Sequence, residues 1–135
     1  MNLDKLKEQI ERIKDHKSRL EYFVNKFSKI ILIGNGGSNA IASHISVDYT
    51  KFLGKKAFSF SDAPMLTAYI NDYGRDEAYK QFLSEFVDDD TFVILISSSG
   101  NSMNVVNAAK WCEYNNVYYA ALSGFGANNK LNSLN

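Results

Sequence analysis

Apolar side chains recur at helical spacing along residues 2–27, and charged side chains fill most of the positions between them. The stripe is interrupted near His16, and its members are Leu3, Leu6, Ile10, Ile13, Leu20, Phe23, Val24 and Phe27. This spacing places one apolar face on a helix. We therefore predict a long N-terminal helix over residues 1–27, with a break near His16, that packs on the sheet or on another subunit.

Four short apolar runs follow this helix, and each has the length of a strand. Their β-branched and aromatic residues favour strands that are buried on both faces, as in a parallel sheet. The runs span 29–33, 57–60, 91–96 and 117–122, and helical patterns at 39–52, 64–70, 75–87 and 103–114 separate or flank them. This alternation predicts an α/β fold in which a parallel sheet carries helices on both faces.

Composition narrows the class of protein. The chain has 135 residues, and this length predicts a single domain over 1–135. It contains 15 Lys+Arg against 15 Asp+Glu. A net charge of zero argues against a nucleic-acid partner bound by bulk electrostatics. The charged start and the lack of a long apolar run predict neither a secretory signal nor a membrane partner. The single cysteine, Cys112, cannot form an internal disulfide, which favours a cytoplasmic protein.

The segment 97–102 (SSSGNS) follows the strand-like run 91–96 and precedes a helix. Its glycine lets the backbone turn tightly, and the helix start presents free N–H groups and a positive dipole end. Either a plain serine N-cap or an anion site explains one serine, but four hydroxyls favour a phosphate site. The members of this segment are Ser97, Ser98, Ser99, Gly100, Asn101 and Ser102.

A second loop of the same design, GNGGS at 34–38, follows the run 29–33. A dinucleotide fingerprint would need glycine where Asn39 stands, although Asp62 lies where a ribose-binding acid could sit. A P-loop would need a lysine, and neither loop has one. The two loops therefore predict a small phosphorylated metabolite as ligand, held by hydroxyls and backbone N–H groups, with no nucleotide cofactor.

Few residues are candidates for acid/base chemistry. His44 and Asp48 lie four residues apart on the helix after GNGGS, so they share a face and could move protons or hold a metal. The spacing alone equally describes a solvated ion pair, which is the commoner case. Asp72 could orient a sugar hydroxyl or cap a turn. Asp88–Asp90 indicates a solvated turn, with cation binding as the alternative.

Three segments together resemble the sugar isomerase (SIS) domain family, and within it the phosphoheptose isomerases. They are KIILIGNGGSNAIASH, FSDAPMLTAYINDYG and TFVILISSSGNSMNVVNAAKWC, which lie within a match over about residues 1–126. The resemblance implies a three-layer sandwich with a flavodoxin-like sheet, and a homotetramer built through the N-terminal helices. It also implies isomerisation of sedoheptulose 7-phosphate to glycero-manno-heptose 7-phosphate by proton transfer, in the biosynthesis of bacterial surface polysaccharide.

The resemblance also implies roles for single residues. The serines of 97–102, with Asn101, fall on the family's phosphate loop, and Asp72 falls on the aspartate of its N-D-[FY]-G motif. His44 falls on a histidine that ligates zinc in some members, and Asp48 on the position of the catalytic glutamate. The metal candidates are thus His44 and Asp48, with zinc as the implied cofactor. The first substrate loop is carried by Asn35, Gly36, Gly37 and Ser38.

Two departures from the family keep an alternative open. Aspartate is one methylene shorter than the family's glutamate, and misplacement of about 1 Å can cost ~10²-fold in rate. The family also continues with a fifth strand and a helix that carries a glutamine and a histidine, so we expect the α/β core at 28–135 to be C-terminally incomplete. The alternative is a non-catalytic SIS module that binds a phosphosugar or a protein, as one relative associates with the replication initiator DnaA.

Overall fold

The computed structural model describes residues 2–134. Its strands are β1 (Lys29–Gly34), β2 (Lys56–Ser59), β3 (Thr91–Ser97) and β4 (Tyr119–Ser123). They form one sheet in the order β2-β1-β3-β4, and every pair of neighbours is parallel. The predicted α/β fold with a parallel sheet is confirmed.

Five α-helices accompany the sheet: α1 (Leu3–Lys26), α2 (Gly37–Leu53), α3 (Ala63–Tyr73), α4 (Ala78–Phe86) and α5 (Met103–Tyr114). The predicted break near His16 is wrong, because α1 runs unbroken for 24 residues. No proline or glycine interrupts α1, so a gap in its apolar stripe costs packing but leaves the backbone hydrogen bonds intact. No helix between residues 2 and 134 combines the length and apolar character needed to cross a bilayer.

Helices cover both faces of the sheet, which gives three layers. One face packs against α3, α4 and α5, and its buried core includes Ile31, Phe60, Phe82, Val93, Leu95, Val105 and Cys112. The other face packs against α2 and the last turns of α1, and its core includes Val24, Phe27, Ile30, Leu32, Ala42, Phe92 and Ile94. Successive residues of each central strand therefore point to different cores, which explains their continuous apolar runs.

Strand register brings the two predicted ligand loops together. Gly34, the last residue of β1, pairs with Ile96 near the end of β3. Because both strands run in the same direction, the loops that follow them open at the same edge of the sheet. This edge carries the candidate site.

The segment after β4 also packs against this edge, which no pattern in the sequence predicted. Leu131 is 1% exposed and belongs to the buried core on the face of the sheet that α3, α4 and α5 cover, and a short 3-10 helix follows at Asn132–Leu134. The backbone N–H of Leu131 donates to the Gly100 carbonyl oxygen over 3.0 Å. The segment therefore supports the serine-rich loop.

Candidate functional site

The first loop, 34–38, is shaped by the close approach of β1 to α2. A Cβ atom on Gly34 would lie 2.8 Å from the Ser38 backbone, so no larger residue fits without movement. Gly36, at the N-cap of α2, has a φ of 52°, which favours glycine. No side chain caps this helix, and in its first turn the Ser38 and Asn39 N–H groups donate to the backbone carbonyl oxygens of Asn35 and Gly36, each over 3.0 Å.

Asn35 is held in this loop by a polar network that no sequence motif indicated. Its side-chain amide exchanges two hydrogen bonds with that of Asn104, at 2.8 and 3.0 Å. The Tyr79 hydroxyl lies 2.9 Å from Asn35 Oδ1 and 2.7 Å from the Gly34 carbonyl oxygen. Asn104 and Tyr79 are buried, and they lie on α5 and α4. Only the fold brings these three side chains together.

The serine-rich loop, 97–102, ends at the N-cap of α5. Ser102 makes no side-chain cap hydrogen bond, so its hydroxyl does not serve the helix; it accepts a hydrogen bond from Ser97 Oγ over 3.2 Å. Gly100 has a φ of 65°, and a Cβ there would meet Asn129 Oδ1 at 2.1 Å. The loop is therefore closed by a glycine turn and a neighbouring asparagine.

A cavity of about 190 Å³ lies between the two loops. Six of the predicted substrate residues line it, together with two apolar residues that were not predicted: Asn35, Ser38, Ser97, Ser98, Ser99 and Ser102, with Ile96 and Phe125. The lining holds hydroxyl and amide donors next to two helix N-termini, and it contains no lysine, arginine or carboxylate. Such a site stabilises an anion by hydrogen bonds and helix dipoles.

The remaining predicted substrate residues lie outside this lining. Gly36 and Gly37 shape the first turn of α2. Asn101 turns to the C-terminal segment, where its Oδ1 accepts from the Lys130 backbone N–H over 3.0 Å. Asp72 lies near the exposed end of α3 and accepts from Asn71 Nδ2 over 2.9 Å.

His44 and Asp48 pair with each other on α2, also outside the cavity lining. His44 Nε2 lies 3.6 Å from Asp48 Oδ2, and the two side chains are 80% and 44% exposed. Residues 2–134 hold no group of three or more His, Cys, Asp or Glu side chains that could bind a metal. A catalytic zinc takes three protein ligands, so within the described residues of one copy this pair does not form a complete zinc site.

The other candidate residues, Asp62, His16 and Cys112, lie outside the cavity lining. Asp62 caps α3 by accepting from the Met65 N–H over 3.0 Å. His16 is exposed on α1. Burial raises the pKa of the Cys112 thiol to about 12, so this thiol stays protonated at neutral pH.

Comparison with known proteins identifies relatives over nearly the whole chain. The family model described as SIS domain matches residues 3–124. Phosphoheptose isomerase of Buchnera aphidicola is 32% identical over 126 residues, which cover 90% of this chain and 65% of that protein. The Fusobacterium nucleatum phosphoheptose isomerase is 30% identical, covering 88% of this chain. The chain thus spans about two thirds (65%) of the length of these relatives.

Solved structures agree on the fold. The structure of phosphoheptose isomerase GmhA from Neisseria gonorrhoeae matches 97% of this chain and 77% of that chain, with a TM-score of 0.71 and 27% identity. The Vibrio vulnificus NanR protein complexed with ManNAc-6P matches 90% of this chain and 40% of that chain, with a TM-score of 0.64 and 21% identity. The second likeness concerns the fold alone.

Proposed function

This chain belongs to the SIS domain family, and from that membership we propose that it is a phosphosugar isomerase that interconverts an aldose and a ketose. The substrate that we propose is sedoheptulose 7-phosphate, with glycero-manno-heptose 7-phosphate as product. The relatives named phosphoheptose isomerase support this choice.

The observation that carries the proposal is the cavity between the two loops. Its hydroxyls, the Asn35 amide and the starts of α2 and α5 form an environment for a dianionic phosphate. The lining carries no cation, so neutral donors and helix dipoles would stabilise the phosphate charge. Hydrogen bonds from several donors to the phosphate would also orient the sugar chain that extends from it.

We assign proton transfer to Asp48, assisted by His44. In this reaction a base removes the proton on the carbon next to the carbonyl, and the proton returns to the former carbonyl carbon as the carbonyl moves by one position. Asp48 is the proposed base, and His44, 3.6 Å away, orients the carboxylate and takes part in moving the hydroxyl proton. The sugar chain would extend from the serine-rich loop toward the exposed face of α2.

Zinc stays a prediction. His44 and Asp48 would supply two ligands. No third His, Cys, Asp or Glu side chain lies with them among the described residues of one copy, so a third ligand would have to come from elsewhere. We therefore derive no step through a metal. A cytoplasmic location and a DnaA-type protein partner likewise stay predictions.

We also propose that the protein is a homo-oligomer in which α1 packs on another copy. The first half of α1 carries an apolar face that no other part of the described chain covers: Leu3 is 62% exposed, Ile10 45% and Ile13 66%. A tetramer is the assembly that the family resemblance implies.

The function is tested by following sedoheptulose 7-phosphate by NMR and by measuring its binding through thermal stabilisation. Asp48→Asn should lower kcat by about 10²–10⁴-fold and leave binding within about twofold, since it removes a general base. Ser102→Ala should weaken sugar-phosphate binding, whereas Ser84→Ala, an exposed serine on α4, should not.

The outcomes separate the hypotheses. Binding without turnover by the unaltered protein would favour the non-catalytic phosphosugar module. A protein that neither binds nor converts any sugar phosphate contradicts the proposed function.

A further inference from the structure

Phe125 is an aromatic residue in an unfavourable position. It follows β4 between two glycines, its φ is 54°, and the residue is 83% exposed. A bulky residue in the left-handed region is rare, because its Cβ crowds the following carbonyl oxygen. Burial of the ring does not compensate for this conformation, because most of the ring is open to solvent.

Hydrogen bonds on both sides of Phe125 hold the backbone in this conformation. The Gly124 N–H donates to the Ser98 carbonyl oxygen over 3.0 Å. The Asn129 side chain donates to the Gly126 carbonyl oxygen over 2.9 Å, and Asn129 is 7% exposed. The residues before and after Phe125 are therefore fixed, one of them directly to the serine-rich loop.

These contacts place Phe125 in the lining of the cavity, which Ser98 and Ser99 also line. Its lining is otherwise formed by polar side chains and Ile96. Ligand pockets combine a few polar groups with apolar surface that packs on the ligand's carbon atoms. Strained residues that the surrounding structure holds in place are concentrated at such sites.

We propose that Phe125 is a specificity-determining residue that packs against the carbon chain of a sugar phosphate bound in the cavity. This inference rests on the proposed function, because it requires a phosphorylated sugar. The hydroxyls and helix starts bind the phosphate, and the phenyl ring packs on the C–H groups of the sugar, so it favours a sugar phosphate over inorganic phosphate.

The test measures the Kd values of sedoheptulose 7-phosphate and of inorganic phosphate for the full chain and for Phe125→Gly. Glycine adopts a φ of 54° without strain, so the variant should unfold at the same or a higher temperature. Its Kd for the sugar phosphate should rise about tenfold, and its Kd for phosphate should change less than about twofold. Phe125→Tyr, which keeps an aromatic ring, should bind the sugar phosphate as tightly as the unaltered protein does.

Asn116→Gly is the matched control. Asn116 has a φ of 55° and lies between α5 and β4, at the opposite edge of the sheet. Relief of strain there should leave both Kd values unchanged.

An unchanged sugar-phosphate Kd in Phe125→Gly overturns the inference while the proposed function stands. An equal rise in both Kd values also overturns it, because the ring would then act through the serine-rich loop. If the unaltered protein binds neither probe, the proposed function fails and the inference fails with it.

Discussion

At the scale of single residues, the serines of the cavity could be predicted, and the residues that hold Asn35 in place could not. Ser97, Ser98, Ser99 and Ser102 lie close together in sequence after an apolar run, so a local pattern reveals them. Asn104 and Tyr79 meet Asn35 across 69 and 44 positions of sequence. No local pattern encodes such a contact, because it depends on strand order and helix packing.

Gly100 offers a test at this scale. Its φ is 65°, and a Cβ at this position would lie 2.1 Å from Asn129 Oδ1, so both the backbone and the neighbouring side chain oppose a larger residue. Gly100→Ala should lower the free energy of unfolding by about 1–3 kcal/mol and loosen the serine-rich loop. Urea unfolding measures the first effect, and phosphate titration measures the second.

Gly126→Ala is the control for this substitution. A Cβ on Gly126 meets nothing within 4 Å, so its free energy of unfolding should change by less than about 0.5 kcal/mol. If the free energy of unfolding falls equally in the two variants, the close approach of Asn129 to Gly100 does not contribute to stability.

At the scale of elements, apolar runs predicted strands well and their ends less well. The run 91–96 became β3 (Thr91–Ser97), and the pattern 103–114 became α5 (Met103–Tyr114). The run 117–122 became β4 (Tyr119–Ser123), shifted because Asn116 makes a left-handed turn before it. The ends of strands and helices depend on turn geometry and on pairing partners, which the pattern of apolar residues alone does not reveal.

The acidic turn between α4 and β3 leads to a prediction about how stability depends on pH. Asp88 accepts from the Thr91 hydroxyl over 2.6 Å and pairs with Lys29 Nζ at 3.0 Å. The hydrogen bond from Thr91, followed by that from Lys29, lowers the pKa of Asp88. A carboxyl whose pKa is lower in the folded state contributes stability above its unfolded pKa, and this stability is lost as the pH falls through the folded pKa.

Asp88→Asn should therefore reduce stability at neutral pH and make the decline below about pH 4 shallower. Urea unfolding over a pH series measures both effects. Asp89→Asn alters the exposed neighbour in the same turn and serves as the control. Parallel stability curves for Asp88→Asn and the unaltered protein would refute this role of Asp88.

At the scale of the whole molecule, the alternation of strands and helices was enough to predict the layers, but not the positions of the acid/base residues. His44 and Asp48 share a helix face as their spacing predicts, yet that face is exposed and lies outside the cavity lining. Helix periodicity fixes which residues are neighbours on a helix. It does not fix what the helix faces, which depends on everything packed around it.

The apolar face on the first half of α1 gives a prediction for the assembly. Val24 is the one buried residue of α1, while Leu3, Ile10 and Ile13 are 45–66% exposed. Burial of apolar surface contributes about 25 cal/mol per Å², so association with a second copy that covers this face would be favourable.

If α1 mediates oligomerisation, Ile13→Ser should shift the protein toward smaller species in sedimentation velocity. Asp15→Ser, on the charged face of the same helix, should leave the distribution unchanged. Identical distributions for Ile13→Ser and the unaltered protein would remove α1 from the interface.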